Sequence, residues 1–171
     1  MGGKSRNQTS SRLGLHFGGK SVNQDFDTLI DWLSAQDLTS TPMNHEEATV
    51  QSFIIPVRRE RYLEFLKSPK NRKKFIDLLA HFKHLDPKFA TNVTGNQSNP
   101  SALLKLLLGK GAGTKCWVIS ENAELDGKEI DLHNALKETV GRQMGTFISC
   151  IPGKLAYFEN EDGRYILERK S

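Results

Sequence analysis

Only two cysteines, Cys116 and Cys150, occur among 171 residues, too few for a disulfide framework. In a reducing compartment both are expected to stay thiols and to pack as small buried hydrophobes. Long apolar runs are missing too. The longest, Leu103-Leu104-Lys105-Leu106-Leu107-Leu108, is far short of a membrane span, and the polar first residues lack the apolar segment of a secretory signal. These absences point to the cytoplasm. Met1-Gly2 opens like a myristoylation signal, but Arg6 stands where Ser or Thr is wanted, so an unmodified chain is expected. No internal repeat is evident, and neighbouring residues assemble no nucleophile, base and orienting group.

What the chain has is enough apolar surface for one ordinary core, 37% of its residues being hydrophobic. The reading is a flexible basic tail over residues 1–20 followed by a single α+β domain over 21–171. Charge is uneven although the net is +4: residues 1–20 carry four bases and no acid, and 21–56 carry six acids and no base. Residues 57–88 then carry ten bases and four acids. Attraction within the fold or an acidic partner outside it would each use that pattern.

The tail contains Gly14-Leu15-His16-Phe17-Gly18-Gly19-Lys20-Ser21, a full match to the phosphate-binding loop pattern. That chemistry needs a buried strand leading in and a helix leading out, so that backbone amides surround the phosphates. Gln8 to Leu13 is no buried strand, and no apolar strand ending in aspartate follows, so no nucleotide cofactor is assigned. The helix that follows spans about Asn23 or Asp25 to Ala35, with Phe26, Leu29, Ile30 and Leu33 on one face. Leu38 to Met43 reads as a linker, and Val50 to Ile55, rich in bulky and β-branched residues, as a strand ending at Pro56.

A helical pair comes next. Arg58 to Lys67 forms the first helix, and Ser68-Pro69 supplies a cap and a first-turn proline for a second running to about Phe82. Helical advance puts Phe75, Leu78, Leu79 and Phe82 on one side and Lys70, Lys73, Lys74 and His81 on the other. With Arg58, these lysines form a basic face suited to a polyanion or an acidic protein, nucleic acid among the candidates. His81, His84 and Asp86 could begin a metal site, but a further strong ligand at recognisable spacing is missing and no metal is assigned. Asn99-Pro100 then starts a short buried helix through Leu108.

The last third organises the rest. Lys115 to Ser120 reads as a buried strand, Asp131 caps a helix from Leu132 to Val140, and Thr146 to Ile151, Leu155 to Phe158 and Arg164 to Arg169 form a meander through Pro152-Gly153 and a polar turn at 159–163. The fold class is therefore α+β, a mixed sheet built mainly by the C-terminal third with N-terminal and central helices packed on it. Because a helix joins the strands from Lys115 and Thr146, they are expected to be parallel neighbours with a right-handed crossover.

Two functions follow from this reading. The first is a noncatalytic binding or regulatory protein using Arg58, Lys70, Lys73 and Lys74. The second is a small enzyme: parallel strands would bring Glu121 to Cys150 at one sheet edge, with Cys150 as nucleophile and Glu121 orienting His133 as base.

Overall fold

The computed structural model describes residues 42–170. The tail, its loop-like glycine pattern, the helix ending near Ala35 and most of the expected linker lie outside the described residues. Three helices come first: α1 (Pro42–Phe53), α2 (Pro56–Leu66) and α3 (Pro69–Asp77), the last followed by a 3-10 turn at Leu79–His81. Then come β1 (Ala90–Asn92), a 3-10 turn at Gly95–Gln97, α4 (Pro100–Gly109), β2 (Lys115–Ser120), β3 (Lys128–Asp131), α5 (Leu132–Thr139), β4 (Thr146–Ile151), β5 (Leu155–Asn160) and β6 (Gly163–Glu168).

The starts of these helices follow from local chemistry. Proline opens α2, α3 and α4, where its missing N–H has no intrahelical partner to lose. Ser68, Asn99 and Asp131 each accept a hydrogen bond from the amide three residues on, satisfying a free donor of the first turn. Of the segment expected as a strand over Val50 to Ile55, Val50 to Phe53 are instead the last turn of α1. Val50 and Phe53, three apart, share the helix face turned to the core, and both are fully buried. Only Ile54 pairs like a strand, in a single bridge to Leu85, as the chain is turned extended before Pro56.

The six strands form one sheet in the order β1-β6-β5-β4-β2-β3, antiparallel at every pairing. This corrects the expected parallel crossover between β2 and β4. The cause is β3, a short polar strand that folds back along β2 and sets Asp131 opposite Lys115. Helix α5 therefore leaves from the start of β2 and delivers Thr146 opposite Ser120, at its end. An extra pass of the chain reverses the direction of β4.

Side chains alternate between two cores. Trp117, Ile119, Phe147, Ala156, Phe158 and Leu167 pack beneath Val50, Phe53, Tyr62, Leu66 and Phe75 of α1 to α3. On the other face Cys116, Val118, Ile148, Cys150, Tyr157 and Ile166 pack against Leu103 and Leu107 of α4 and Leu132, Ala135 and Leu136 of α5. Covering both faces explains why β2, β4 and β5 read as nearly continuous apolar runs. Each fully buried Phe or Leu in these layers contributes about 1.5–3 kcal/mol.

Candidate functional site

The basic segment is shaped by what α2 and α3 must bury. Tyr62, Leu66 and Phe75 face the sheet, which turns Arg58, Arg61, Lys70, Lys73 and Lys74 into solvent. The second helix of the pair is shorter than expected, ending at Asp77. The tighter 3-10 advance after it keeps Leu79 and Phe82 inside but leaves Leu78, expected in the core, 42% exposed.

Counter-charges divide these cations into two groups. Arg59 lies 3.9 Å from Asp86, Lys67 pairs with Glu64 and Lys73 with Asp77. Arg72 points inward, where Nη2 meets Glu46 at 2.7 Å and Nη1 meets Asp126 at 2.6 Å. Arg58, Arg61, Lys70 and Lys74 make no ion pair among the described residues. Arg61 lies over the Phe65 ring, 5.5 Å from its centroid. Arg58 and Arg61 also act on a neighbouring pair. The phenol of Tyr62 and Nδ1 of His84 are 2.6 Å apart, and burial followed by the field of both arginines holds the His84 pKa below its ordinary value. Burial raises the Tyr62 phenol against that same field.

His81, His84 and Asp86 do not converge. His81 faces Glu161 at 3.6 Å and Asp162 at 3.7 Å, His84 is held by Tyr62, and buried Asp86 accepts from the Lys88 amide. Among the described residues no group of three or more His, Cys, Asp or Glu side chains is arranged to hold a metal ion.

Nor does the fold bring Cys150, Glu121 and His133 together. Antiparallel pairing puts Cys150 beside the start of β2 and Glu121 beyond its end, roughly 15 Å apart at the rise of a strand. Cys150 is buried, its thiol directed at the Ile148 carbonyl, and burial pushes its pKa up to about 12. Glu121 accepts from the Gly145 amide at 2.6 Å, and His133 stands exposed on α5.

The polar groups the structure does bring together were not legible locally. Trp117 Nε1 donates to Glu46 at 3.2 Å, joining the Glu46–Arg72–Asp126 cluster, and His45 Nδ1 lies 2.9 Å from Ser149 Oγ. Ser149 is fully buried, so the His45–Ser149 pair ties α1 to β4 rather than presenting a nucleophile. The sequence offered no spacing by which to find contacts so distant along the chain. Among the described residues no helix is long and apolar enough to cross a membrane. Comparison with family models, curated proteins and solved structures finds no match to this chain.

Proposed function

We propose that this chain is a noncatalytic binding protein that takes a polyanion on the outer side of α2 and α3. The observation that carries the reading is the division of charge described above. Arg58, Arg61, Lys70 and Lys74 are exposed on helices whose other cations are already paired with carboxylates. Cations that make no ion pair among the described residues can neutralise phosphates or carboxylates of a partner and release its counterions. The reading carries with it a cytoplasmic setting, which the free thiols Cys116 and Cys150 support.

Fluorescence anisotropy with a short DNA duplex as the probe tests this. Affinity is expected to fall steeply with salt, and an Arg58→Glu/Lys70→Glu/Lys74→Glu variant to bind at least about tenfold more weakly with a shallower salt slope. Equal affinity and equal salt slope in the two proteins overturn the reading. Binding of an acidic polypeptide but not of DNA, lost in the same variant, would redirect it to a protein partner.

A further inference from the structure

We infer that the molecule carries a second anion site, separate from α2 and α3, which takes the phosphate group of a small phosphorylated molecule. Between the last turns of α1, the β4–β5 turn and the residues after β6 lies a cavity of about 330 Å³, lined by Gln51, Ser52, Gly153, Lys154, Arg169 and Lys170 among others. Lys154, Arg169 and Lys170 line it, and among the described residues no carboxylate does. The volume falls in the range of small-molecule sites.

Its walls are fixed by contacts that a solvated charge cluster would not need. The Arg169 amide donates to the Lys154 carbonyl at 2.9 Å, tying together the backbones that carry two of the cations. The Arg169 guanidinium lies over the Phe89 ring, 5.1 Å from its centroid, which restricts its rotamers. Gly153 adopts φ +68°, and a Cβ there would come within 2.8 Å of Ser52 Oγ, so the turn closes tightly on the helix. Ser52, 8% exposed, makes no hydrogen bond among the described residues and has a hydroxyl to give. The nearby carboxyl end of α1 accounts for a cation beside its carbonyls. It does not account for three cations lining a hollow together with a serine hydroxyl and a side-chain amide. Lysines, an arginine fork, a hydroxyl and an amide N–H together make a donor set for phosphate oxygens.

The test is an amide NMR titration of the full chain with inorganic pyrophosphate. Saturable shifts are expected at the amides of Ser52, Gly153, Lys154 and Arg169, unchanged by Lys70→Glu/Lys74→Glu, and weakened at least about tenfold by Lys154→Glu/Arg169→Glu. Since Arg169 also packs on Phe89, Lys154→Gln alone serves as the milder variant and is expected to weaken binding with its spectrum otherwise intact. Absence of shifts at these amides, loss of binding in the α2–α3 variant, or full affinity in Lys154→Gln and the double variant each overturns the site. Because the two surfaces are altered separately, failure here leaves the polyanion reading standing, and the converse also holds.

Discussion

Arg72 grips Glu46 side-on, with Nε 3.0 Å and Nη2 2.7 Å from the two carboxylate oxygens, while the outer edge of the same guanidinium holds Asp126. The bond joins α3 to α1 and to the turn before β3. The Glu46 side chain is only 8% exposed, so removing its partner strands a buried charge. Arg72→Ala is expected to cost about 3 kcal/mol in urea unfolding, and Arg72→Lys, which lacks the fork, at least half as much. A loss below about 0.5 kcal/mol in Arg72→Ala would show that the network is solvated rather than structural.

Two glycines make opposite predictions. At Gly145 a Cβ would run into the backbone of Leu79 and Ala80, whereas at Gly109, near the end of α4, it would meet nothing within 4 Å. Gly145→Ala should destabilise by about 1–3 kcal/mol, because main chain cannot step aside as a flexible side chain can. Gly109→Ala should be neutral or stabilise by up to about 1 kcal/mol. Similar effects at both positions would refute the close approach of the β4 entry to the 3-10 turn.

How much of this fold was legible follows from which forces are local. Ser68-Pro69, Asn99-Pro100 and Asp131 announced their helices because capping is settled within four residues, and β2, β4, β5 and β6 announced themselves by runs of apolar side chains. Val50 to Ile55 misled because its strand-like composition belongs to a helix end that buries two residues against the sheet. The direction of β4 was hidden in β3, whose Lys128-Glu129-Ile130-Asp131 carries one apolar residue at a sheet edge. The enzyme geometry depended on that direction and went with it. The basic character of Arg58, Lys70 and Lys74 was readable, but the inward turn of Arg72 was not, since its partners lie 26 and 54 residues away.

Acid should weaken the fold through two histidines. Burial lowers the pKa of His45, partly opposed by Glu129, and burial with Arg58 and Arg61 lowers that of His84. The unfolded chain, whose histidines titrate near 6.5, therefore takes up protons first as pH falls. More protons bound to the unfolded state means that stability is full above about pH 7 and declines as pH drops through 6.5 toward the lower folded values. Urea midpoints at pH 7.5 and 5.5 should show this fall, and His84→Gln should flatten it. An unchanged slope in His84→Gln would mean that the Tyr62–His84 pair does not sense protons.

At alkaline pH the sign is set by thiols. Cys150 is held protonated to about pH 12, and burial also raises Cys116 well above its ordinary value. Above about pH 9 the unfolded chain loses these protons and the native state keeps them, so stability should decline as pH rises. In the native protein neither thiol should react with an aromatic disulfide reagent at neutral pH on the timescale of a free thiol, and both should react in urea. Rapid native labelling of Cys150 would contradict the buried placement.

The first half of the loop between α5 and β4 is held by one carboxylate, as its last residue, Gly145, is by Glu121. Glu159 is fully buried and accepts from the amides of Gly141 and Gln143, both at 2.9 Å, and from the Tyr157 hydroxyl at 2.6 Å, with Arg164 at 3.4 Å. Gln143 sits at φ +58°, a left-handed conformation that costs a non-glycine residue about 1–2 kcal/mol, so something must hold it there. Glu159→Gln keeps the shape but replaces one accepting oxygen with a donor, leaving an amide or the phenol facing an NH2 group. A loss of about 1.5–3 kcal/mol is expected, with hydrogen exchange at Gln143 accelerating more than in the centre of β4. Tyr157→Phe combined with Glu159→Gln should cost less than the separate effects added, because the two side chains share one bond. Gln143→Gly should relieve the strain and keep exchange at residue 143 slow while Glu159 is intact. If exchange there is equally slow in Glu159→Gln, the carboxylate is not what holds the loop.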